Sequence, residues 1–181
     1  MKTGFPPFYS SFVSLVILGL SILPIAGSAQ DLHPVLQGMV GKWTEKGILI
    51  PAKDAAPIQG VATFVAKANP DGEGLVLKGS ADFGPIKWTY IWTYTSGKPG
   101  GESSDLKANY RDSLGQNITY EEIGRASCRG LQLIANLSDG GKAKAQVTVE
   151  GNGKMTVQNV TENPAGETAV RYQGEAVREP E

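Results

Sequence analysis

The chain has 181 residues, of which 17 are Lys or Arg and 18 are Asp or Glu, and its formal net charge is −1. This balance argues against a nucleic-acid-binding protein, and no run of like charges indicates a membrane-surface segment. Cys128 is the only cysteine, so a hydrophobic core rather than an internal disulfide must hold the fold together.

Residues 1–29 have the pattern of a signal peptide. Lys2 gives a basic start, an apolar run covers residues 12–23, and small residues at 26–29 supply a cleavage site. The apolar run is shorter than the about 20 residues that a membrane-spanning helix needs, which argues against the alternative of an uncleaved anchor. We therefore expect an exported protein, periplasmic or secreted, with residues 30–181 as one mature domain and no stable membrane insertion.

Residues 30–41 predict a short helix, because apolar side chains recur there at helical spacing. Pro34 suits the first turn, Asp31 is expected to cap the N-terminus, and Gly41 is expected to end the helix. From Trp43 onwards the hydrophobic period changes to two, which indicates β-strands.

The alternation of apolar and polar residues predicts nine or ten strands separated by tight turns. Beyond the first strand, the predicted segments are residues 58–68, 75–77 and onwards, 86–95, 106–112, 117–123, 131–137, 143–149, 155–161 and 168–177. We expect an all-β fold, either a sandwich or a single antiparallel up-and-down β-barrel. The barrel is favoured because successive hairpins can close on themselves and leave no exposed edge.

The segment that contains His33, Pro34 and the Gly41-Lys42-Trp43 motif resembles the start of calycin barrels such as the lipocalins. The resemblance implies that Trp43 packs across the closed end of a barrel and that an arginine of the last strand, Arg171 or Arg178, lies over its ring. The His-Pro-x-Leu lead-in is also similar to nitrobindin-like proteins and to lipocalin-like bacterial families of unknown function.

The nitrobindin-like resemblance would imply haem bound through a histidine near the C-terminus. The only histidine of this chain is His33, in the predicted helix, where a capping or surface role is expected. A lone imidazole does not make a metal or haem site, so we expect no cofactor and no bound metal.

One strand carries the strongest functional signal. Four aromatic residues share one face of residues 86–95, and in a barrel that face would look inward. The interior of such a barrel suits a small apolar or aromatic ligand, so the predicted ligand-binding residues are Trp88, Tyr90, Trp92 and Tyr94. The alternative is that the rings only fill a core, in which case the chain is a structural or interaction protein.

No catalytic motif is present, so no catalytic residue is predicted. An enzyme would require a desolvated carboxylate in the pocket, such as Asp112 or Glu122, beside a pocket tyrosine. The sequons at Asn117, Asn136 and Asn159 bear on glycosylation only in a eukaryotic cell.

Cys128 has Arg125 and Arg129 close to it in the sequence, and positive neighbours lower a thiol pKa. It could therefore be reactive or join two chains as a dimer. An ordinary buried or edge cysteine is the favoured interpretation, since free cysteines are usually buried.

Overall fold

A computed structural model describes residues 32–95 and 106–180, with only the backbone described for residues 122–126. The expected signal peptide at residues 1–29 and the expected cap Asp31 lie outside these ranges. Within them, no helix is both long and apolar enough to cross a membrane.

The predicted helix is present as α1 (Pro34–Met39), but its boundaries differ from those expected. His33 is the N-cap, and its Nδ1 accepts a hydrogen bond from the backbone N–H of Val35 at 3.4 Å. Gly41 does not end the helix; it opens the first strand, with a φ of 131° that favours glycine. The capping role expected for the histidine is thus confirmed.

Eleven strands follow the helix in the described residues. They are β1 (Gly41–Ile50), β2 (Ile58–Ala68), β3 (Gly74–Phe83), β4 (Ile86–Thr95), β5 (Lys107–Asp112), β6 (Asn117–Tyr120), β7 (Glu122–Ala126), β8 (Gly130–Asn136), β9 (Lys142–Glu150), β10 (Lys154–Glu162) and β11 (Thr168–Arg178). The order across the sheet is β6-β5-β4-β3-β2-β1-β11-β10-β9-β8-β7, and all the pairs are antiparallel. The expected all-β, up-and-down barrel is confirmed.

One predicted strand, residues 117–123, is divided in two. β6 pairs with β5 through Tyr120, whereas β7 pairs with β8 from Glu122 onwards, so the chain changes partner at Glu121. β6 and β7 therefore form the two ends of the sheet order and leave a seam in the barrel wall. Period-two alternation does not reveal such a change, because it records which face a residue occupies but not which strand it pairs with.

The helix covers one end of the barrel, which we call the closed end. Trp43 is fully buried there, and its Nε1 donates a hydrogen bond to the carbonyl of Met39 at 2.8 Å. The Arg178 guanidinium lies 4.8 Å from the centre of the Trp43 ring and donates a hydrogen bond to the carbonyl of Gly38 at 2.5 Å. Of the two arginines expected over this tryptophan, the structure selects Arg178; Arg171 pairs with Ile50, at the other end of β11.

Cys128 lies exposed between β7 and β8. Of the expected buried or edge position, the buried alternative is therefore wrong, because the residue lies in a bend between two strands rather than on an inward-facing strand position. One exposed thiol does not support a dimer through this residue.

Candidate ligand-binding cavity

The barrel contains a cavity of about 300 Å³, at the lower limit of the volumes usual for small-molecule sites. Inward-facing side chains from both halves of the sheet line it, together with Met39 of α1. Its outer part is bordered by Pro51, which follows β1, and by Leu114 and Gln116, which connect β5 to β6. We call this the open end of the barrel.

One side of the cavity is aromatic. Trp88, Tyr90, Trp92 and Tyr94, the residues predicted for ligand binding, all line it. The Trp92 ring has the densest surroundings, with ring centres at 4.9 Å for Tyr110, 5.3 Å for Tyr120 and 5.7 Å for Tyr94. The sequence thus placed these side chains correctly in the interior, while their contact with a ligand stays a prediction.

Trp88 lies nearer the open end and is only partly buried. Its ring stacks on Phe83 with centres 5.4 Å apart. Next to it, the Tyr110 hydroxyl donates a hydrogen bond to Asp112 Oδ2 at 3.0 Å. These two contacts hold the Trp88 and Tyr110 rings beside the cavity.

A second group of cavity residues is polar and was not predicted. Glu45 lines the cavity with only 3% of its surface exposed, and its Oε1 has no hydrogen-bond partner. Burial raises the pKa of Glu45 to about 7, against the opposing effect of a hydrogen bond from Tyr172. Asn159 also lines the cavity, and its Oδ1 is likewise buried without a partner.

The sequence contains a signal for Glu45. Trp43, Glu45 and Gly47 alternate along β1, so any interpretation that points Trp43 inward also points Glu45 inward. Buried carboxylates are rare unless they are paired, so alternation alone does not predict one at this position.

Glycines on neighbouring strands make room for this carboxyl group. Gly174 on β11 is paired with Gly47 on β1 in the barrel register. A Cβ atom at residue 174 would collide with Glu45 Oε1, and one at residue 47 would lie 2.8 Å from the Tyr172 hydroxyl. The side chains of Glu45 and Tyr172 therefore lie against the wall of the barrel, and the space in front of them stays open.

Two tyrosines, Tyr172 and Tyr90, interact with the carboxyl group of Glu45. Burial raises the pKa of Tyr172 and of Tyr90, and the negative charge of Glu45 raises both further. Burial is also the main cause of the raised pKa of Tyr110. These hydroxyls stay protonated at neutral pH; Tyr172 donates a hydrogen bond to Glu45 and Tyr110 donates one to Asp112.

Of the two carboxylates that were named for an enzyme, only Asp112 has a side chain that the structure describes. Asp112 lines the cavity, but its Oδ1 accepts backbone hydrogen bonds from Leu114 at 3.0 Å and Gln116 at 2.9 Å, so it orders the β5–β6 turn. The side chain of Glu122 lies outside the described residues. Glu45 is instead the desolvated carboxyl group of this cavity.

The described part of the chain shows no cluster of three or more His, Cys, Asp or Glu side chains that could hold a metal ion. Among the sequons, Asn159 faces the cavity, where its buried Oδ1 makes glycosylation of the folded domain unfavourable. Asn117 of β6 and Asn136 of β8 are exposed, and both line a surface groove between these two strands.

Three of the solved structures that are similar to this chain are as follows. The S-type phycobiliprotein lyase CPES from Guillardia theta is 9% identical, with a TM-score of 0.52 over 87% of this chain and 98% of that chain. A DUF3598-family protein of unknown function from Nostoc punctiforme PCC 73102 is 12% identical, with a TM-score of 0.49 over 80% of this chain and 48% of that chain. EF1p2_mFAP2b bound to DFHBI is 12% identical, with a TM-score of 0.42 over 84% of this chain and 100% of that chain.

At the level of sequence, no family model matches the chain, and no curated protein is significantly similar to it. Identities this low establish a fold and not a shared activity. Together with the barrel topology and the Trp43–Arg178 pair, the likeness to CPES shows that the chain folds as a calycin-like β-barrel.

Proposed function

We propose that this protein binds a small aromatic or apolar molecule inside its barrel. The observation that carries the proposal is the cavity of about 300 Å³ beside Trp88 and Trp92. If the rings of β4 served only as packing, opposite walls of the barrel would meet across them and leave no such space. The cavity therefore favours a binding protein over a structural protein with a filled barrel.

A neutral fluorescent ketone, prodan, tests this proposal. We expect saturable binding with a stoichiometry of one, accompanied by a change in tryptophan emission because Trp88 and Trp92 border the site. Ala81→Leu places a larger side chain in the cavity and is expected to weaken binding at least tenfold. Lys78→Leu, on the outer face of the same strand, is the matched control and should leave affinity unchanged. Absence of saturable binding by the unmodified protein would refute the proposal.

We also propose that the barrel acts after export, in the periplasm or outside the cell. The support is the signal-peptide pattern of residues 1–29, with its apolar run and small-residue cleavage site. Protein recovered from the export compartment should have the mass of residues 30–181. A full-length mass in the membrane fraction would contradict this proposal.

The similarity of the lead-in to nitrobindin-like proteins is limited to a few residues, and we do not extend it to haem. His33 is used as the cap of α1, where its Nδ1 accepts a backbone hydrogen bond. We expect haem titration to give no saturable Soret band. A band of fixed stoichiometry that His33→Ala abolishes would contradict this expectation.

An enzyme is the second candidate function, and one observation favours it. A carboxyl group with a pKa near 7 can accept or donate a proton at neutral pH, and Glu45 has a pKa of about 7 beside the protonated Tyr172. The two candidates differ in the fate of the bound molecule. Recovery of a natural ligand unchanged after prolonged incubation with the protein supports binding alone, whereas conversion that Glu45→Gln abolishes supports catalysis.

A further inference from the structure

The two buried polar atoms without partners in the described residues have the same chemical character. Both Glu45 Oε1 and Asn159 Oδ1 are hydrogen-bond acceptors, and both residues line the cavity. A buried acceptor without a donor costs free energy, so native proteins rarely retain one without a reason. Two in one cavity indicate that a molecule entering it supplies the donors.

The two acceptors lie on neighbouring parts of the barrel wall. Asn159 is paired with Tyr172 between β10 and β11, and the carboxyl group of Glu45 lies over Gly174, two residues further along β11. In the sheet order β10 is five strands away from β4, which places Asn159 across the interior from the aromatic residues, and β1, which carries Glu45, is three strands away. A bound molecule would thus meet ring faces on one side and acceptors on the other.

We propose that the natural ligand is an aromatic cation whose N–H groups donate hydrogen bonds to Glu45 Oε1 and Asn159 Oδ1. This inference rests on the proposed ligand-binding function and specifies the class of ligand. A protonated nitrogen satisfies both acceptors and compensates the charge of the glutamate, which a neutral apolar molecule does not. The opposing rings of Tyr90 and Trp92 favour a cation too, since aromatic faces attract positive charge.

The charged and titratable groups around Glu45 agree with a cationic ligand. Tyr172 of β11 and Tyr90 of β4 face it as neutral hydroxyls. On the more distant strands, the cavity is lined by the acidic side chain of Asp112 of β5 and by Lys144 of β9, which is paired with Glu162 at 2.6 Å. The net charge presented to the cavity by these side chains is therefore negative when Glu45 is ionised.

Two naphthalene probes of similar shape provide the test. 2-Naphthamidine carries a cationic N–H donor group that stays protonated between pH 5 and 9, and 2-acetylnaphthalene is neutral and has no donor. At pH 8 the unmodified protein should bind the amidine at least about tenfold more tightly than the ketone, the size expected for a charge-assisted hydrogen bond. At pH 5.5 the preference should fall several-fold, because protonation of Glu45 removes its charge.

Substitutions show which side chains cause the preference for the amidine. Glu45→Gln should abolish most of the preference and its pH dependence, and Asn159→Leu should reduce the preference about threefold. Glu175→Gln removes the same charge from the outer face of β11, beside Gly174, and is the matched control that should change neither. The preference for the amidine and its pH dependence are measured on the unmodified protein as well. The inference can therefore be tested even if a variant fails to fold.

The outcomes separate the inference from the proposed function. Equal affinity of both probes for the unmodified protein would overturn the inference and leave ligand binding intact, and it would mean that water satisfies the two acceptors. A preference for the amidine that Glu45→Gln leaves unchanged would overturn the assignment to this residue. Binding of neither probe, together with no binding of prodan, would overturn the proposed function itself.

Discussion

The two ends of this barrel follow the same inward–outward alternation, yet one is packed and the other is hollow. At the closed end, Trp43 stacks on Phe64 with ring centres 6.1 Å apart, and Val35 and Leu36 of α1 are fully buried against the same core. At the open end the buried cluster is small, with two alanines among its four members. Alternation therefore makes a barrel, whereas side-chain size on the inward face decides whether the barrel is filled.

The largest change in stability is expected when one tryptophan is truncated at each end of the barrel. Trp43→Ala should lower the free energy of unfolding by about 3–5 kcal/mol, because it leaves a void in a filled core. Trp88→Ala should cost about 1–2 kcal/mol, because this partly buried ring already borders a cavity. Chemical denaturation of both variants measures the difference. Equal losses would mean that the two ends are packed alike.

The pH dependence of stability tests the polar part of the hollow region. The pKa of Glu45 rises from 4.5 to about 7 on folding, so the folded state holds a proton that the unfolded state has lost between these pH values. Without ligand, stability should therefore fall as the pH rises from about 4.5 to 7, by on the order of 3 kcal/mol. Glu45→Gln should remove most of this fall. A stability profile that is the same in the variant and the unmodified protein would show that another group is responsible.

Gly174→Ala tests whether the cavity requires a glycine at this position of the barrel wall. The added Cβ would displace the Glu45 carboxyl group, and we expect a cost of about 1–3 kcal/mol and weaker prodan binding. Gly151→Ala is a suitable control, because its added Cβ would have no neighbour within 4 Å. Thermal melts and probe titrations give both quantities. Unchanged binding by Gly174→Ala would mean that the wall can relax without loss of the cavity.

The smallest expected effect concerns the arginine that covers the closed end. Arg178→Ala removes the cation–π contact with Trp43 and the hydrogen bond to the Gly38 carbonyl, at an expected cost of about 1 kcal/mol. Arg171→Ala, an exposed arginine on the same strand, should change the free energy of unfolding by less than about 0.5 kcal/mol. An equal effect of the two substitutions would show that the contact with Trp43 does not stabilise the barrel.

Much of the fold could be predicted from period-two alternation alone. β2 and β4 have the predicted boundaries, because turn residues separate each of them clearly from its neighbours. The change of partner at Glu121 could not be predicted, since both parts of residues 117–126 have strand-like sequences and only the closure of the barrel decides their pairing. Two residues were expected as caps of α1, and the structure has His33 at the N-cap, although Asp has the stronger general preference for that position.

The candidate site was predicted in its aromatic half only. The rings of β4 stand out because four of them share one face of a strand, whereas Glu45 is a single acidic residue in a segment with charged neighbours. The sequence pattern marks Asn159 only as the first residue of a glycosylation sequon. Its role in the cavity depends on β10 lying opposite β4, which is a property of the closed barrel and not of any local sequence.

The seam at Glu121 also has a consequence for folding kinetics. In the described residues every ladder joins consecutive strands except the one between β1 and β11, so β1–β6 and β7–β11 can each form from local hairpins. The β4 rings belong to the first half and Asn159 to the second. The cavity therefore exists only once the single long-range ladder has formed, which is the step that contact order identifies as slow. A ligand held by both halves would retard unfolding by opposing their separation.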